Sequence, residues 1–133
     1  MEYNFETIKK LISEFEFSED FDMVVAVANG GIIPAAMINQ KLGKEFNIIK
    51  ISLRDSAQKP MFDEPRLVSQ VTFDPFGKSL LLVEDRVKTG ASLKKAKQIL
   101  LDMGAKSVTT FATNGKADYS LLDVDCFKFP WLL

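Results

Sequence analysis

The sequence predicts an α/β fold: a single domain built on one mainly parallel, twisted sheet flanked by helices. Three observations predict it. Short apolar runs of strand length alternate with segments whose apolar residues recur at helical spacing. Two of those runs, MVVAVA at 23–28 and SLLLVE at 79–84, are apolar almost throughout, as in strands covered on both faces. Glycine, proline and Asn/Asp punctuate the junctions between segments. A chain of 133 residues is long enough for one proper core.

The elements follow in order. Phe5, Ile8, Leu11, Ile12 and Phe15 lie at helical spacing, and Asn4 is placed to cap that first helix. Strand 23–28 ends at Asn29-Gly30-Gly31. Pro34 suits the first turn of a second helix, which Gly43 can end. IIKISL at 48–53 reads as the next strand. Residues 54–66, RDSAQKPMFDEPR, carry both charge signs and two prolines and form the one long irregular segment. A short strand is expected at 67–71 and a turn at Asp74-Pro75-Phe76-Gly77. Strand 79–84 comes next. Leu93, Ala96, Ile99, Leu100 and Met103 then mark a helix closed by Gly104. SVTTFA at 107–112 reads as a strand, Asn114-Gly115 as a turn, and 125–129 as a final strand.

Composition narrows the function classes. Apolar residues make up 47%, charged residues 26%, and the net charge is −1, so nothing favours a nucleic-acid or membrane-surface partner. No apolar run approaches the roughly 20 residues that cross a bilayer. The opening MEYNFETIKK lacks the basic-then-apolar order of a secretory signal. The single cysteine, Cys126, cannot form an internal disulfide and is expected as a small packed side chain. These features suit a reducing cytoplasm. There is no histidine, which removes Ser-His and Cys-His catalysis and histidine-rich metal sites. Any metal would be a hard cation held by oxygen, magnesium first.

The most informative stretch is LLLVEDRVKTGAS, 80–92. Ligands of open parallel sheets bind beyond the carboxyl ends of the strands. There Glu84 and Asp85 can accept from a pair of vicinal hydroxyls, as on a ribose, or hold a hydrated magnesium ion. Lys88-Thr89-Gly90-Ala91-Ser92 then leads into a helix. Free N–H groups at a helix start and the helix dipole favour an anion. Gly90 lets the backbone come close, Thr89 and Ser92 bring hydroxyls, and Lys88 brings positive charge. Hydroxyl-binding acids beside phosphate donors describe a site for a phosphorylated sugar. The plainer alternative is a strand end followed by a helix cap.

LLLVEDRVKTGAS resembles the phosphoribosyl pyrophosphate (PRPP) motif of type I phosphoribosyltransferases. VVAVANGGIIPAAMINQKL, 24–42, resembles that family's first PRPP loop, and the ending FKFPWLL is similar to the close of its small xanthine/guanine-type purine members. The resemblance covers about 23 to 131. It implies Mg-dependent transfer of a phosphoribosyl group from PRPP to a nitrogenous base, a purine first, by a cytoplasmic homodimer. It implies that Glu84 and Asp85 bind the ribose 2′- and 3′-hydroxyls and share the magnesium, partly through water. Residues 88–92, Ala91 among them, would cradle the 5′-phosphate. Asn29, Gly30 and Gly31 would face the pyrophosphate. Residues 54–66 would form a lid, the core would span about 1–112, and 113–133 would form a hood over the base.

Several residues depart from the family pattern. Asn29 stands where many members have Arg or Lys, and Arg54 is positioned to replace that cation. Lys88 stands where purine enzymes often have Asp. Arg86 replaces an apolar residue and could face solvent, a partner subunit or the phosphate. Thr113 falls where a lysine meets the purine's exocyclic oxygen, with Lys116 three residues on. Cys126 or Phe127 falls where an aromatic ring stacks on the base. These departures raise a second reading, a non-catalytic PRPP or nucleotide sensor on the same fold. A response-regulator receiver, suggested by LLLVEDR, is disfavoured because only 48 residues follow Asp85.

Overall fold

A computed structural model of the chain describes residues 3–52 and 66–133. The expected lid lies outside the described residues except for Arg66, and Arg54 lies outside them altogether.

Nine elements are formed by the described residues. They are α1 (Phe5–Glu14), β1 (Met23–Ala28), α2 (Ile32–Leu42), β2 (Glu45–Ser52), β3 (Arg66–Leu67), β4 (Ser79–Val87), α3 (Ala91–Asp102), β5 (Ser107–Gly115) and β6 (Tyr119–Leu122). The strands form one sheet in the order β3-β2-β1-β4-β5-β6. All pairings are parallel except that of the two-residue β3 with β2. Asn4 caps α1 as expected, its side-chain oxygen accepting from the Thr7 N–H at 2.9 Å. Gly43 ends α2 in the left-handed conformation, at φ 65°.

The apolar strands are buried on both faces, with alternate side chains feeding two cores. Met23, Val25 and Val27 of β1 and Leu80 and Leu82 of β4 pack with Leu93, Ala96 and Leu100 of α3. Val24 and Ala26 of β1 and Leu81 and Val83 of β4 pack with Ile8 and Ile12 of α1 and Ala35 and Ile38 of α2. The helix after β1 therefore covers one face and the helix after β4 covers the other. Neighbouring parallel strands whose connections leave to opposite faces open a crevice between their carboxyl ends. That crevice lies between Ala28–Gly31 and Glu84–Ser92.

Some expectations are corrected. Asn114-Gly115 is not a turn but the end of β5. Asn114 is buried, and its side-chain amide pairs with Val124, donating to its carbonyl at 3.2 Å and accepting from its N–H at 3.0 Å. A tertiary contact thus satisfies the groups that a turn would otherwise satisfy. Glycine is required at 115 because β4 approaches closely: a Cβ there would run into Val87. The segment 125–129 is not a strand. The sheet's edge is β6 instead, and the rings of Phe127, Phe129 and Trp131 pack on one another. The strand expected at 67–71 shrinks to Arg66–Leu67, while β2 starts earlier than expected and β4 and β5 each run three residues further. Cys126 is exposed rather than packed, because it lies outside the sheet.

Candidate active site

Glu84 and Asp85 sit near the carboxyl end of β4, at the crevice between β1 and β4. Both are part-buried. The Asp85 N–H donates to Glu84 Oε1 at 3.0 Å, and the Arg86 N–H donates to Asp85 Oδ1 at 2.6 Å. Burial pushes the Glu84 carboxyl up to about 9, and the neighbouring Asp85 adds to that rise by charge and hydrogen bonding. Two carboxyls placed this closely are costly when both are charged, so a cation or a set of hydroxyl donors would relieve the site.

Across the crevice, Gly30 lies against the Asp85 side chain: a Cβ on Gly30 would collide with its carboxylate. Gly31 is held more tightly, since a Cβ there would meet the main-chain oxygens of Val83 and Val27. The Gly31 N–H already donates to the Val27 carbonyl at 2.9 Å and is not free for a ligand. The Gly30 N–H has no partner among the described residues. Asn29 beside it is exposed.

Downstream, Gly90 takes the left-handed conformation at φ 81° and forms the N-cap of α3. A side chain would strain this position. The Thr89 hydroxyl accepts from the Ala91 N–H at 3.2 Å. The N–H groups of Gly90, Ser92 and Leu93 have no partner among the described residues. They border a cavity of about 320 Å³ lined by Glu84 and by residues 86–93. Glu84 and the helix start thus share one space. Gly90→Val is expected to weaken binding of ribose 5-phosphate at least tenfold. Calorimetric titration of the folded variant checks this, and undiminished affinity would move the phosphate elsewhere.

The residues expected around a base are not brought together in the same way. Thr113 is fully buried and donates its hydroxyl to the Glu84 carbonyl at 3.2 Å, so it supports the acidic strand from behind. Lys116 lines a cavity of about 570 Å³ that adjoins the first and shares Val87, Lys88, Thr89, Gly90 and Leu93 with it. Phe127 packs its ring against Tyr3 at 4.6 Å and Phe129 at 4.9 Å between centroids. Arg86 lines the same cavity as residues 87–93 and also reaches the C-terminal segment. Its Nη2 donates to the Phe127 carbonyl at 2.6 Å, and its guanidinium carbon lies 5.6 Å from the Phe129 ring centroid. The signal was a charged residue where the family pattern is apolar.

A family model described as "Phosphoribosyl transferase domain" matches residues 4–130. The chain belongs to the phosphoribosyltransferase family. An orotate phosphoribosyltransferase of Sulfurisphaera tokodaii is 30% identical over 105 residues, 79% of this phosphoribosyltransferase-family chain and 49% of the relative. A xanthine-guanine phosphoribosyltransferase of Chromohalobacter salexigens is 32% identical over 118 residues, covering 84% of this chain and 69% of its own. The chain thus spans about half the length of the first of these relatives. Among solved structures, a purine phosphoribosyltransferase from Pyrococcus horikoshii superposes with a TM-score of 0.76 at 21% identity. That match covers 98% of this chain and 92% of the other, and it supports the type I phosphoribosyltransferase fold. No helix among the described residues is long and apolar enough to cross a membrane.

Proposed function

We propose that this member of the family transfers a phosphoribosyl group from PRPP to a nitrogenous base, a purine first, releasing pyrophosphate. One observation carries the reading: Gly30 lies against the Asp85 carboxylate at the β1/β4 crevice, and the adjoining Glu84 shares a cavity with N–H groups at the start of α3 that have no partner among the described residues. Glu84 and Asp85 bind the ribose hydroxyls. Residues 88–92 hold the 5′-phosphate, and Asn29 with the Gly30 N–H faces the pyrophosphate.

In the reaction the bond from C1′ to the pyrophosphate oxygen breaks, a bond from C1′ to a base nitrogen forms, and the proton on that nitrogen passes to water or to the departing pyrophosphate. Positive charge builds on the ribose ring, and carboxylates near the sugar stabilise it. Lys88 adds positive charge beside the 5′-phosphate. The donor set fits magnesium. Among the described residues no cluster of three metal-ligating side chains exists, and magnesium takes one or two carboxylates with water and substrate phosphate for the rest. Glu84 and Asp85 are the residues that would hold it, and it would neutralise charge on the departing pyrophosphate. A homodimer in the cytoplasm is the setting we assign to this activity.

The test is isothermal titration with PRPP and magnesium, followed by assay of pyrophosphate release with a panel of bases. Binding together with base-dependent release is expected. Binding without release for any base would favour the sensor reading, and absence of PRPP binding would refute both.

A further inference from the structure

Arg86 stands between the two halves of the proposed site. On one side is the cavity of residues 84 and 86–93. On the other is the aromatic segment Phe127–Trp131, beside a cavity lined by Tyr3, Asn4 and residues from Phe127 to Leu132. Neither cavity is lined by residues of the other. Arg86 lines the first cavity and touches Phe127 and Phe129 of the second, so it is the side chain that joins them.

The state of that side chain indicates what it accepts. A guanidinium carries only donors. One of them is used on the main-chain carbonyl of Phe127. Another, the Nε–H, is buried and has no partner among the described residues. A buried unpartnered donor is costly, and an acceptor oxygen relieves the cost. The Phe127 carbonyl stands in for the chemical species this place selects, a carbonyl oxygen in a planar amide.

We propose that Arg86 is the specificity-determining residue for the acceptor base, admitting bases with a carbonyl oxygen at the edge that meets it and rejecting those with an amino group there. The proposal rests on the ribose and phosphate assignments above. A ring carbonyl can replace the Phe127 oxygen or accept from Nε, so a like partner is exchanged for a like one. An amino group brings a donor to a donor. It could satisfy the Phe127 carbonyl only by displacing the guanidinium from that acceptor and leaving its donors unpaired.

Inosine and adenosine 5′-monophosphate test this, because they share ribose and phosphate and differ in an oxo against an amino group. Calorimetric titration should show wild-type protein binding the inosine nucleotide at least about tenfold more tightly. Arg86→Met should bring the ratio to within about twofold. Arg86→Lys, which keeps a charge but loses the fork of donors, should lie between and serves if the Met variant does not fold. The ratio cancels any change in ribose or phosphate binding common to both ligands. Trp131, the single tryptophan, stacks on Phe129 at 4.7 Å and 7°, so its emission should shift with the inosine nucleotide and not with ribose 5-phosphate. A ratio near one in wild type, or an unchanged ratio in the folded Arg86 variants, overturns the role of Arg86. If wild type also fails to bind ribose 5-phosphate, the site assignment itself falls and takes this proposal with it.

Discussion

Replacing Glu84 and Asp85 together by alanine is expected to weaken binding of PRPP and nucleoside monophosphates by a hundredfold or more while the chain stays folded. The loss follows from removing every carboxylate that β4 carries into the crevice. Charge-assisted hydrogen bonds contribute about 1.5–3 kcal/mol each, so two lost together account for such a factor. The chain should stay folded because the pair opposes folding when ionised. The Glu84 carboxyl is raised from 4.5 to about 9 in the folded state. The native state therefore holds that proton more tightly than the unfolded chain does. Its favourable contribution is complete below 4.5 and is lost progressively as pH climbs from there toward 9, by up to about 1.4 kcal/mol per pH unit. Without magnesium, wild-type stability should thus fall across this window, and Glu84→Gln should flatten the fall. Urea midpoints at pH 5 and pH 8 give the comparison. Equal pH slopes for the two proteins would show that Glu84 is not held protonated, and unaltered PRPP affinity in the double variant would remove the ribose assignment.

Adding one methyl group at Gly30 or at Gly31 should produce opposite failures. At Gly31 the new carbon would meet the main-chain oxygens of Val27 and Val83, the former at 2.6 Å. These atoms belong to two central, fully packed strands that cannot part without disturbing both cores. Gly31→Ala should destabilise the fold by about 3 kcal/mol. At Gly30 the obstacle is the Asp85 carboxylate, which can swing away. Gly30→Ala should keep stability to within about 1 kcal/mol and lose PRPP binding, because the carboxylate is driven from its place. Urea unfolding and titration on both variants separate the two effects. A Gly30→Ala protein that binds PRPP like wild type would count against Asp85 as a ligand-facing group.

Much of this was legible because it is written in local patterns. The double-sided burial of β1 and β4 follows from their unbroken apolar runs, and the ends of α1 and α2 follow from Asn4 and Gly43. The PRPP-type motif is contiguous, so the acidic pair and the loop before α3 are visible together in thirteen residues. What failed were assignments whose outcome depends on a distant partner. Asn114-Gly115 has turn chemistry, but Val124 satisfies the asparagine and Val87 crowds the glycine. Residues 125–129 alternate like a strand, yet stacking among Phe127, Phe129 and Trp131 competes with edge pairing and wins.

The sequence by itself determined the fold class, the family resemblance, the absence of histidine chemistry and the contiguous acidic and Thr-Gly-Ala-Ser motif on which the proposed sugar and phosphate contacts rest. The tertiary structure alone decided that Gly30 rests on Asp85, that Thr113 spends its hydroxyl on the Glu84 carbonyl, and that Arg86 reaches the Phe127 carbonyl. The physical reason is range. Periodicity, caps and a contiguous motif act between residues a few positions apart. The direction of a long side chain is set instead by which buried acceptor the folded chain brings within about 3 Å of it, and for Arg86 that acceptor lies 41 residues away.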